Sequence, residues 1–248
     1  MIDRYINNKI NAIWNDQNRF DTWKLIQEKY VETLEELKIA EAGIAKKIRK
    51  AEISKEEVYK QEKVTNHDLA SFVDILQKKV GEGSNWIHYG LTSSDIVDSA
   101  NSLLILQSIE IAQELILDLL KKLKLKAKEN KDTKIIGRTH GVYAEETFLG
   151  NIFGNWYLEI KRSLDRVERA KVSIAYGKLS GPVGNHTVVT EEMEKITLEK
   201  LGLKPEIFAS QIVSRDRYAE VFTSLSILAS TYERISTNLR SYQRSEIS

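Results

Sequence analysis

The sequence contains no cysteine and only two prolines in 248 residues. Without cysteine there is no disulfide framework, no thiolate metal site and no cysteine nucleophile. An average chain of this length carries about a dozen prolines. Because proline removes a helix N–H and clashes with the preceding turn, its scarcity favours long, uninterrupted helices. No apolar run approaches the roughly 20 residues that span a bilayer, so no membrane partner is expected.

The chain also has no large excess of charge of one sign, since it contains 37 Lys and Arg residues and 36 Asp and Glu residues. This balance gives no general attraction to nucleic acid or to an anionic membrane. The first eight residues lack the apolar segment of a signal peptide. An apolar content of 42% with 29% charged residues is ordinary for a globular protein. We therefore expect a cytoplasmic protein that does not bind nucleic acid.

Apolar residues recur with the period of long helices. From Val221 to Tyr242 and from Phe153 to Ile174 they alternate steps of three and four residues, which is a heptad seam. Between Leu103 and Leu120, 12 of 18 residues are apolar and cover all faces, so this helix should be buried among other helices or other subunits. The helices are predicted at residues 21–40, 54–62, 67–80, 93–129, 144–176, 191–201 and 215–247.

These patterns predict an all-α fold, since no strand signal of any length is present. Short helices before about Gly90 and long ones after it predict a small N-terminal helical domain at residues 1–91 and a long-helix bundle at residues 92–248. The last seam reaches Tyr242 without a glycine or proline stop signal. We therefore expect the bundle to be incomplete and the polypeptide to be the amino-terminal part of something longer.

Three of the four histidines lie in joints rich in small and polar residues that precede predicted helices. These are His67, His88 and His140. Helix N-termini present free N–H groups that suit anions, and histidine supplies a general acid or base near neutral pH. The alternative is purely structural, because Asn66 and either Thr92 or Ser94 are good helix caps that need no further function.

Other chemistries find no support in the motifs. His67 with Asp68 would fit an all-helical metal phosphohydrolase only with a further histidine upstream, and none exists. The chain has no Gly-x-Ser-x-Gly nucleophile elbow, no phosphate-binding P-loop and no dinucleotide fingerprint. The remaining interpretation is acid–base chemistry on a polyanionic small molecule, without a cofactor or a metal.

Six motifs follow one another along the chain: Arg4-Tyr5, Asn66-His67-Asp68, and the segments at residues 86–95, 137–141, 181–184 and 211–217. In this order they resemble the adenylosuccinate lyase family of the fumarase/aspartase superfamily. The combination of His-Tyr-Gly-Leu-Thr-Ser with Arg-Thr-His-Gly favours this family over fumarase, argininosuccinate lyase and aspartase, which share the helical bundle. The resemblance covers essentially the whole chain but only the front part of a family member.

The resemblance implies a β-elimination in purine biosynthesis, acting on adenylosuccinate and on the succinyl-carboxamide ribotide and releasing fumarate. It makes His140 the general acid that protonates the leaving nitrogen. It also implies a homotetramer in which joints from three subunits form each active site around the nucleotide substrate. The implied substrate-binding residues are Arg4, Tyr5, Asn66, His67, Asp68, His88, Thr92, Ser93, Thr139 and Gln211.

Two departures from the family pattern bear on activity. Tyr143 and Glu146 stand where the family commonly has histidine and proline, so the joint after His140 differs in composition. The family's general base is a serine in a Ser-Ser-x-Met-Pro-x-Lys-x-Asn-Pro loop, which these 248 residues do not contain. The resemblance therefore implies impaired activity in this chain alone. A related fumarate-releasing lyase with another succinyl substrate, or a non-catalytic helical oligomerisation scaffold, remain the alternatives.

Overall fold

The computed structural model describes residues 3–245, and the chain forms two compact units. The first unit runs to residue 108 and includes residues 174–215. The second comprises residues 109–173 and the chain from residue 216 onward. The predicted domain boundary between residues 91 and 92 does not coincide with the boundaries of these units, and the two predicted domains stay a prediction.

The first unit is built from short and medium helices. Its helices are α1 (Asn8–Trp14), α2 (Asp16–Glu36), α3 (Ile44–Lys50), α4 (Lys55–Thr65), α5 (Asp68–Val80) and α8 (Glu191–Lys200). It also contains 3-10 turns at Asp3–Tyr5 and Ser84–Trp86, and a parallel pair of two-residue strands, β3 (Tyr176–Gly177) and β4 (Lys204–Pro205). The predicted capping box opens α4, where Ser54 Oγ accepts the Glu57 N–H and Glu57 Oε2 accepts the Ser54 N–H.

An aromatic cluster lies at the centre of this unit. Trp23 meets Phe20 and Phe72 edge-on at ring-centroid distances of 5.3 and 5.6 Å, and all three side chains are buried. Tyr30 extends the same face of α2 and donates its hydroxyl to the carbonyl of Tyr89 at 2.8 Å. Edge-to-face pairs of this kind add to the gain from apolar burial. The cluster fixes α2, which carries one functional side chain described below.

Long helices dominate the second unit. Helix α6 (Ser93–Glu129) begins in the first unit and continues into the second, which also contains α7 (Leu149–Ile174) and α9 (Asp216–Tyr242). The heptad seam of α7 is confirmed, because Trp156, Ile160 and Val167 are buried. None of the helices formed by residues 3–245 combines the length and apolar character that crossing a membrane requires.

The prediction that the chain contains no strands was wrong for residues 134–148. Strands β1 (Lys134–Thr139) and β2 (Val142–Phe148) form an antiparallel hairpin, and the helix predicted from residue 144 begins at Leu149. Residues with high strand propensity, among them Ile135 and Tyr143, favour this conformation. The fold class is nevertheless confirmed as helical, since the described strands form only two two-stranded sheets.

Candidate active site

The joint between α4 and α5 presents the first predicted histidine. Asn66 ends α4 in the left-handed conformation at φ 52° rather than capping the next helix, a conformation that asparagine tolerates better than most residues. His67 is the N-cap of α5 instead, and its Nδ1 accepts the Ala70 N–H at 3.4 Å. Asp68 follows it, with Oδ1 at 3.4 Å from the same Nδ1. The cap thus uses Nδ1 and leaves Nε2 for a contact outside the cap.

The second ring nitrogen of His67 connects two motifs that are 26 residues apart. Its Nε2 lies 3.2 Å from Oγ of Ser93, the first residue of α6. Because Nδ1 accepts a backbone N–H, a neutral His67 ring carries its proton on Nε2 and donates it to the Ser93 hydroxyl. The N-termini of α5 and α6 therefore meet at this hydrogen bond. Two positive helix ends, with the Ser93 hydroxyl as a donor, are suited to an anionic ligand.

His88 is held by a side chain that the sequence did not single out. The amide of Gln27, on α2, accepts the His88 backbone N–H through Oε1 and donates to His88 Nδ1 through Nε2, both at 2.9 Å. Burial, together with the smaller effect of charge on nearby His67, lowers the pKa of His88 to about 4. His88 is therefore neutral near pH 7. Gln27 interrupts the apolar face formed by Trp23 and Tyr30, which is the signal that could have identified it.

A buried ion pair holds the beginning of α6. Asp95 and Lys178 are both fully buried and directly bonded. Asp95 Oδ2 also accepts the N–H groups of Thr92 at 2.8 Å and Gly181 at 3.2 Å, while Lys178 Nζ donates to the Gly181 carbonyl at 2.9 Å. Burial raises the pKa of the Asp95 carboxyl, and the Lys178 ammonium opposes this shift. The pair fixes the Thr92–Ser93 segment against the Gly181 turn.

A second acidic residue of α6 holds the segment that contains Gln211. Asp98 is buried and accepts the Val213 N–H at 2.9 Å, and its carboxylate receives both terminal nitrogens of Arg215 at 3.1 Å. This two-pronged contact is a strong, geometrically specific one. Gln211 itself is exposed, two residues before the anchored Val213.

His140 lies in the second unit, at the tip of the hairpin between β1 and β2. His140 and Gly141 have φ values of 57° and 81°, as a two-residue turn of type I′ requires. Thr139, His140 and Gly141 are all exposed. The expectation that His140 directly precedes a helix was therefore wrong, because the chain runs through β2 before α7 begins.

The two departures from the family pattern lie on β2 of the same hairpin. Tyr143 receives the guanidinium of Arg138 over its ring at 4.9 Å, and Glu146 forms an ion pair with Lys134 at 3.0 Å. Both contacts join β2 to β1. The side chains at these two positions therefore stabilise the hairpin that presents His140.

Arg4 and Tyr5 lie in the 3-10 turn at the start of the described chain. Both are exposed, and the Arg4 guanidinium stacks on the Tyr5 ring at 4.9 Å from its centroid. Among residues 3–245, the direct hydrogen bond within the predicted set is the one between His67 and Ser93, and charge on His67 also lowers the pKa of His88. Arg4, Tyr5 and Gln211 contribute no bond to that cluster in the described part of the chain.

Comparison with known proteins agrees with the motifs. The family model described as "Lyase" matches residues 7–248. The chain is 40% identical over 248 residues to the adenylosuccinate lyase of Thermotoga maritima, covering 100% of this chain and 58% of that protein. It is 37% identical over 247 residues to the adenylosuccinate lyase of Bacillus subtilis, covering 99% of this chain and 57% of that protein. The chain thus spans less than two thirds of the length of these curated relatives.

Solved structures support the fold. A fumarate lyase from Mesorhizobium sp. BNC1 superposes with a TM-score of 0.91 at 19% identity, covering 97% of this chain and 58% of that chain. The beta-carboxy-cis,cis-muconate cycloisomerase of Acinetobacter calcoaceticus gives a TM-score of 0.90, also at 19% identity, with 97% and 59% covered. At this level of identity the likeness establishes the helical architecture alone.

Proposed function

Since the chain belongs to the lyase family, we propose that it carries the amino-terminal share of an active site that cleaves adenylosuccinate to AMP and fumarate. The same site would cleave the succinyl-carboxamide ribotide in purine biosynthesis. The reaction is a β-elimination: a base takes a proton from the succinyl carbon that is not bonded to nitrogen. The electron pair left on that carbon forms the double bond as the carbon–nitrogen bond breaks, and the departing nitrogen receives a proton.

The observation that carries this proposal is the hydrogen bond between His67 Nε2 and Ser93 Oγ. It joins the Asn-His-Asp motif to the His-Tyr-Gly-Leu-Thr-Ser motif, and it does so where two helices present their N-termini. A substrate with a phosphate and two succinyl carboxylates needs such anion-binding positions. The 40% identity to an adenylosuccinate lyase over the full chain supports this choice of substrate.

Roles for the individual residues follow from their positions. His140 is proposed as the general acid, because an exposed imidazole at a hairpin tip can protonate a leaving nitrogen. His67, His88, Thr92 and Ser93 bind substrate oxygens at the N-terminus of α6. The other proposed contacts, for which the family resemblance is the main support, are Arg4, Tyr5, Asn66, Asp68, Thr139 and Gln211.

These 248 residues do not contain the serine-bearing loop that serves as base in the family. We propose that they do not complete the elimination by themselves, because loss of an acid or base partner costs a factor on the order of 10² to 10⁴ in rate. Binding of the substrate needs no proton transfer. Affinity is therefore the more informative property of this chain.

We also propose that the chain associates as a cytoplasmic homotetramer with shared active sites. Leu115 and Leu117 on α6 are 58% and 47% exposed, and Leu158, Phe222 and Ile227 are exposed on α7 and α9. The full burial expected around residues 103–120 is therefore not reached within one chain. Apolar side chains along long helices favour association with further helices. Light scattering at micromolar concentration should give four times the chain mass of 28.4 kDa, and a monomeric or dimeric mass would contradict this part of the proposal.

Calorimetric titration with adenylosuccinate tests the substrate assignment. We expect binding by the chain, at least a tenfold weaker affinity in His67→Asn, and no binding of argininosuccinate. Asparagine is a good N-cap, so this variant keeps the start of α5 while losing the ring. Equal affinity for both ligands, or no effect of His67→Asn, would refute the assignment.

A turnover assay tests the proposed lack of a base. Fumarate release is followed by absorbance at high protein concentration, with His140→Asn as the control because asparagine tolerates the left-handed turn. We expect no turnover by either protein. His140-dependent fumarate release would show that a base lies within these residues.

A further inference from the structure

The amide of Gln27 occupies an unusual position for a polar side chain. It is fully buried on α2, beside the aromatic cluster, and its two hydrogen bonds both reach His88, 61 residues away. One bond goes to the backbone and the other to the ring. A buried amide that binds the main chain and the ring of the same histidine constrains both where the ring lies and which nitrogen carries its proton.

The orientation of this amide follows from the backbone. The His88 N–H is a donor under all conditions, so the amide atom facing it at 2.9 Å is the carbonyl oxygen Oε1. The other atom, Nε2, is then the NH₂ donor, and it faces His88 Nδ1 at 2.9 Å. Nδ1 must accept this hydrogen bond and therefore carries no proton.

The proton of the neutral His88 ring consequently lies on Nε2. A protonated ring would direct Nδ1–H at the NH₂ group of Gln27, so two donors would face each other. The low pKa of His88, about 4, agrees with this geometry. Among residues 3–245, His88 Nε2 makes no hydrogen bond, so this N–H is available to a ligand.

We propose that Gln27 is a positioning residue that locks His88 as an Nε2–H donor to a substrate oxygen. This assignment rests on the proposed function for the identity of the substrate, but the lock itself is a property of the free protein. A ring held in this state neither removes a proton through Nδ1 nor delivers one as an imidazolium. Gln27 thereby restricts His88 to binding and leaves proton transfer to other groups.

Gln27 also holds the backbone of the joint. His88 has φ 61°, a left-handed conformation that is strained for a residue other than glycine. The bond from the His88 N–H to Oε1 opposes relaxation of this residue. The same amide therefore fixes the backbone and the tautomer together.

Nitrogen NMR of the chain labelled with ¹⁵N-histidine tests the lock without any substrate. Four histidines give few signals, and His88→Asn identifies those of His88. We expect an unprotonated Nδ1 and a protonated Nε2, unchanged from pH 5 to pH 8. A protonated Nδ1 in the unmodified chain would overturn the proposal, whether or not any variant folds.

Two substitutions separate the lock from a merely structural role. In Gln27→Glu the carboxylate accepts both from the backbone and from Nδ1–H, so the pKa of His88 should rise by at least one unit and Nδ1 should become protonated. In Gln27→Met both bonds are lost and the ring should populate both tautomers. Unchanged His88 nitrogen signals in folded Gln27→Glu would refute the assignment.

Gln77 supplies the matched control. Its Nε2 donates to the carbonyl of Ser84 and to that of Ile87, the residue directly before His88, and it has no hydrogen bond to the ring in the described chain. Gln77→Met should therefore leave the His88 nitrogen signals unchanged. A change equal to that in Gln27→Met would show that any disturbance of the joint produces the effect, which would refute a specific lock.

Titration with adenylosuccinate distinguishes failure of the lock from failure of the proposed function. Gln27→Glu should weaken binding at least tenfold if both are correct. If the unmodified chain shows the Nε2–H tautomer but binds no adenylosuccinate, the lock stands and the proposed substrate is wrong. If it binds adenylosuccinate with Nδ1 protonated, the lock is wrong and the function stands.

Discussion

Replacing Lys178 by methionine should destabilise the first unit strongly, because it leaves a buried carboxylate without its cation. Lys178 and Asp95 are both fully buried, and Lys178 Nζ also donates to the Gly181 carbonyl at 2.9 Å. Methionine has a similar length and apolar character, so the change removes the charge with little loss of packing. Both Asp95 and the Gly181 carbonyl lose a partner.

The magnitude follows from what remains around the carboxylate. Removing one partner of a buried ion pair costs about 3–5 kcal/mol. Asp95 keeps the N–H groups of Thr92 and Gly181, which places the expected loss near the lower limit, about 3 kcal/mol. The double variant with Asp95→Asn removes the stranded charge as well and should lose less than Lys178→Met alone.

The loss should depend on pH. In Lys178→Met the folded-state pKa of Asp95 lies above its unfolded value of about 3.9, since burial is no longer opposed by the ammonium. The protonated carboxyl is then favoured by folding, a contribution present in full below about pH 4 and lost as the pH rises through the folded pKa. The destabilisation of this variant is therefore larger at pH 8 than at pH 5.

Urea unfolding at a fixed chain concentration measures these differences. Lys122→Met is the control, because Lys122 forms an ion pair with Asp118 in which both side chains are more than half exposed. Surface pairs of this kind contribute little, so the control should unfold almost as the unmodified chain does. A Lys178→Met variant that loses less than about 1 kcal/mol, or no more than Lys122→Met, would refute the reasoning.

Three further predictions concern the same first unit and its neighbour. Gly177→Ala should lower the free energy of unfolding in urea by about 1–3 kcal/mol, because a Cβ there would lie 2.7 Å from a serine hydroxyl. Gly154→Ala is the control: a Cβ at this position in α7 meets open space, so the free energy of unfolding should rise by up to about 1 kcal/mol. Equal effects of the two substitutions would contradict the packing argument. Burial raises the pKa of Glu194, so its carboxyl stabilises the fold while it is protonated. As the pH rises above 4.5, the free energy of unfolding of the unmodified chain should therefore fall relative to that of Glu194→Gln. Parallel plots of the free energy of unfolding against pH would contradict this. Tyr30→Phe should lower the free energy of unfolding by about 1 kcal/mol, because it removes the hydrogen bond from the buried hydroxyl to a backbone carbonyl. An unchanged urea midpoint would count against that bond.

The sequence predicted long helices better than short elements. The bounds of α6, residues 93–129, were predicted correctly, because apolar residues and a polar joint define a helix of that length. The helices α1 and α3 have seven residues each, which is too short for an apolar period to be recognised. The hairpin was missed because its strands are short, exposed on most positions and directly followed by the helical pattern of α7.

In the candidate site, too, residues defined by their neighbours in sequence could be predicted, whereas a residue whose partner is distant in sequence could not. The joints that contain His67 and Ser93 could be found because caps and turns are local, and the structure joins them by a hydrogen bond. Gln27 could not be found by motif, because its partner is 61 residues away. Only its polar character within an apolar helix face distinguishes it.

The left-handed histidines imply a conflict between folding and chemistry. His88, His140 and His186 have φ values of 61°, 57° and 53°. At His140, which is exposed at the hairpin tip, glycine would relieve about 1 kcal/mol, which is appreciable beside a typical net stability of about 5–15 kcal/mol. At His88 glycine would also leave the buried Gln27 amide without its ring acceptor, and at His186 it would remove the ring's contact with the Val189 carbonyl, which offsets the gain. A library of variants selected for thermal stability alone should accordingly accumulate glycine at residue 140, whereas selection for the proposed general acid should retain histidine there at the expense of that stability.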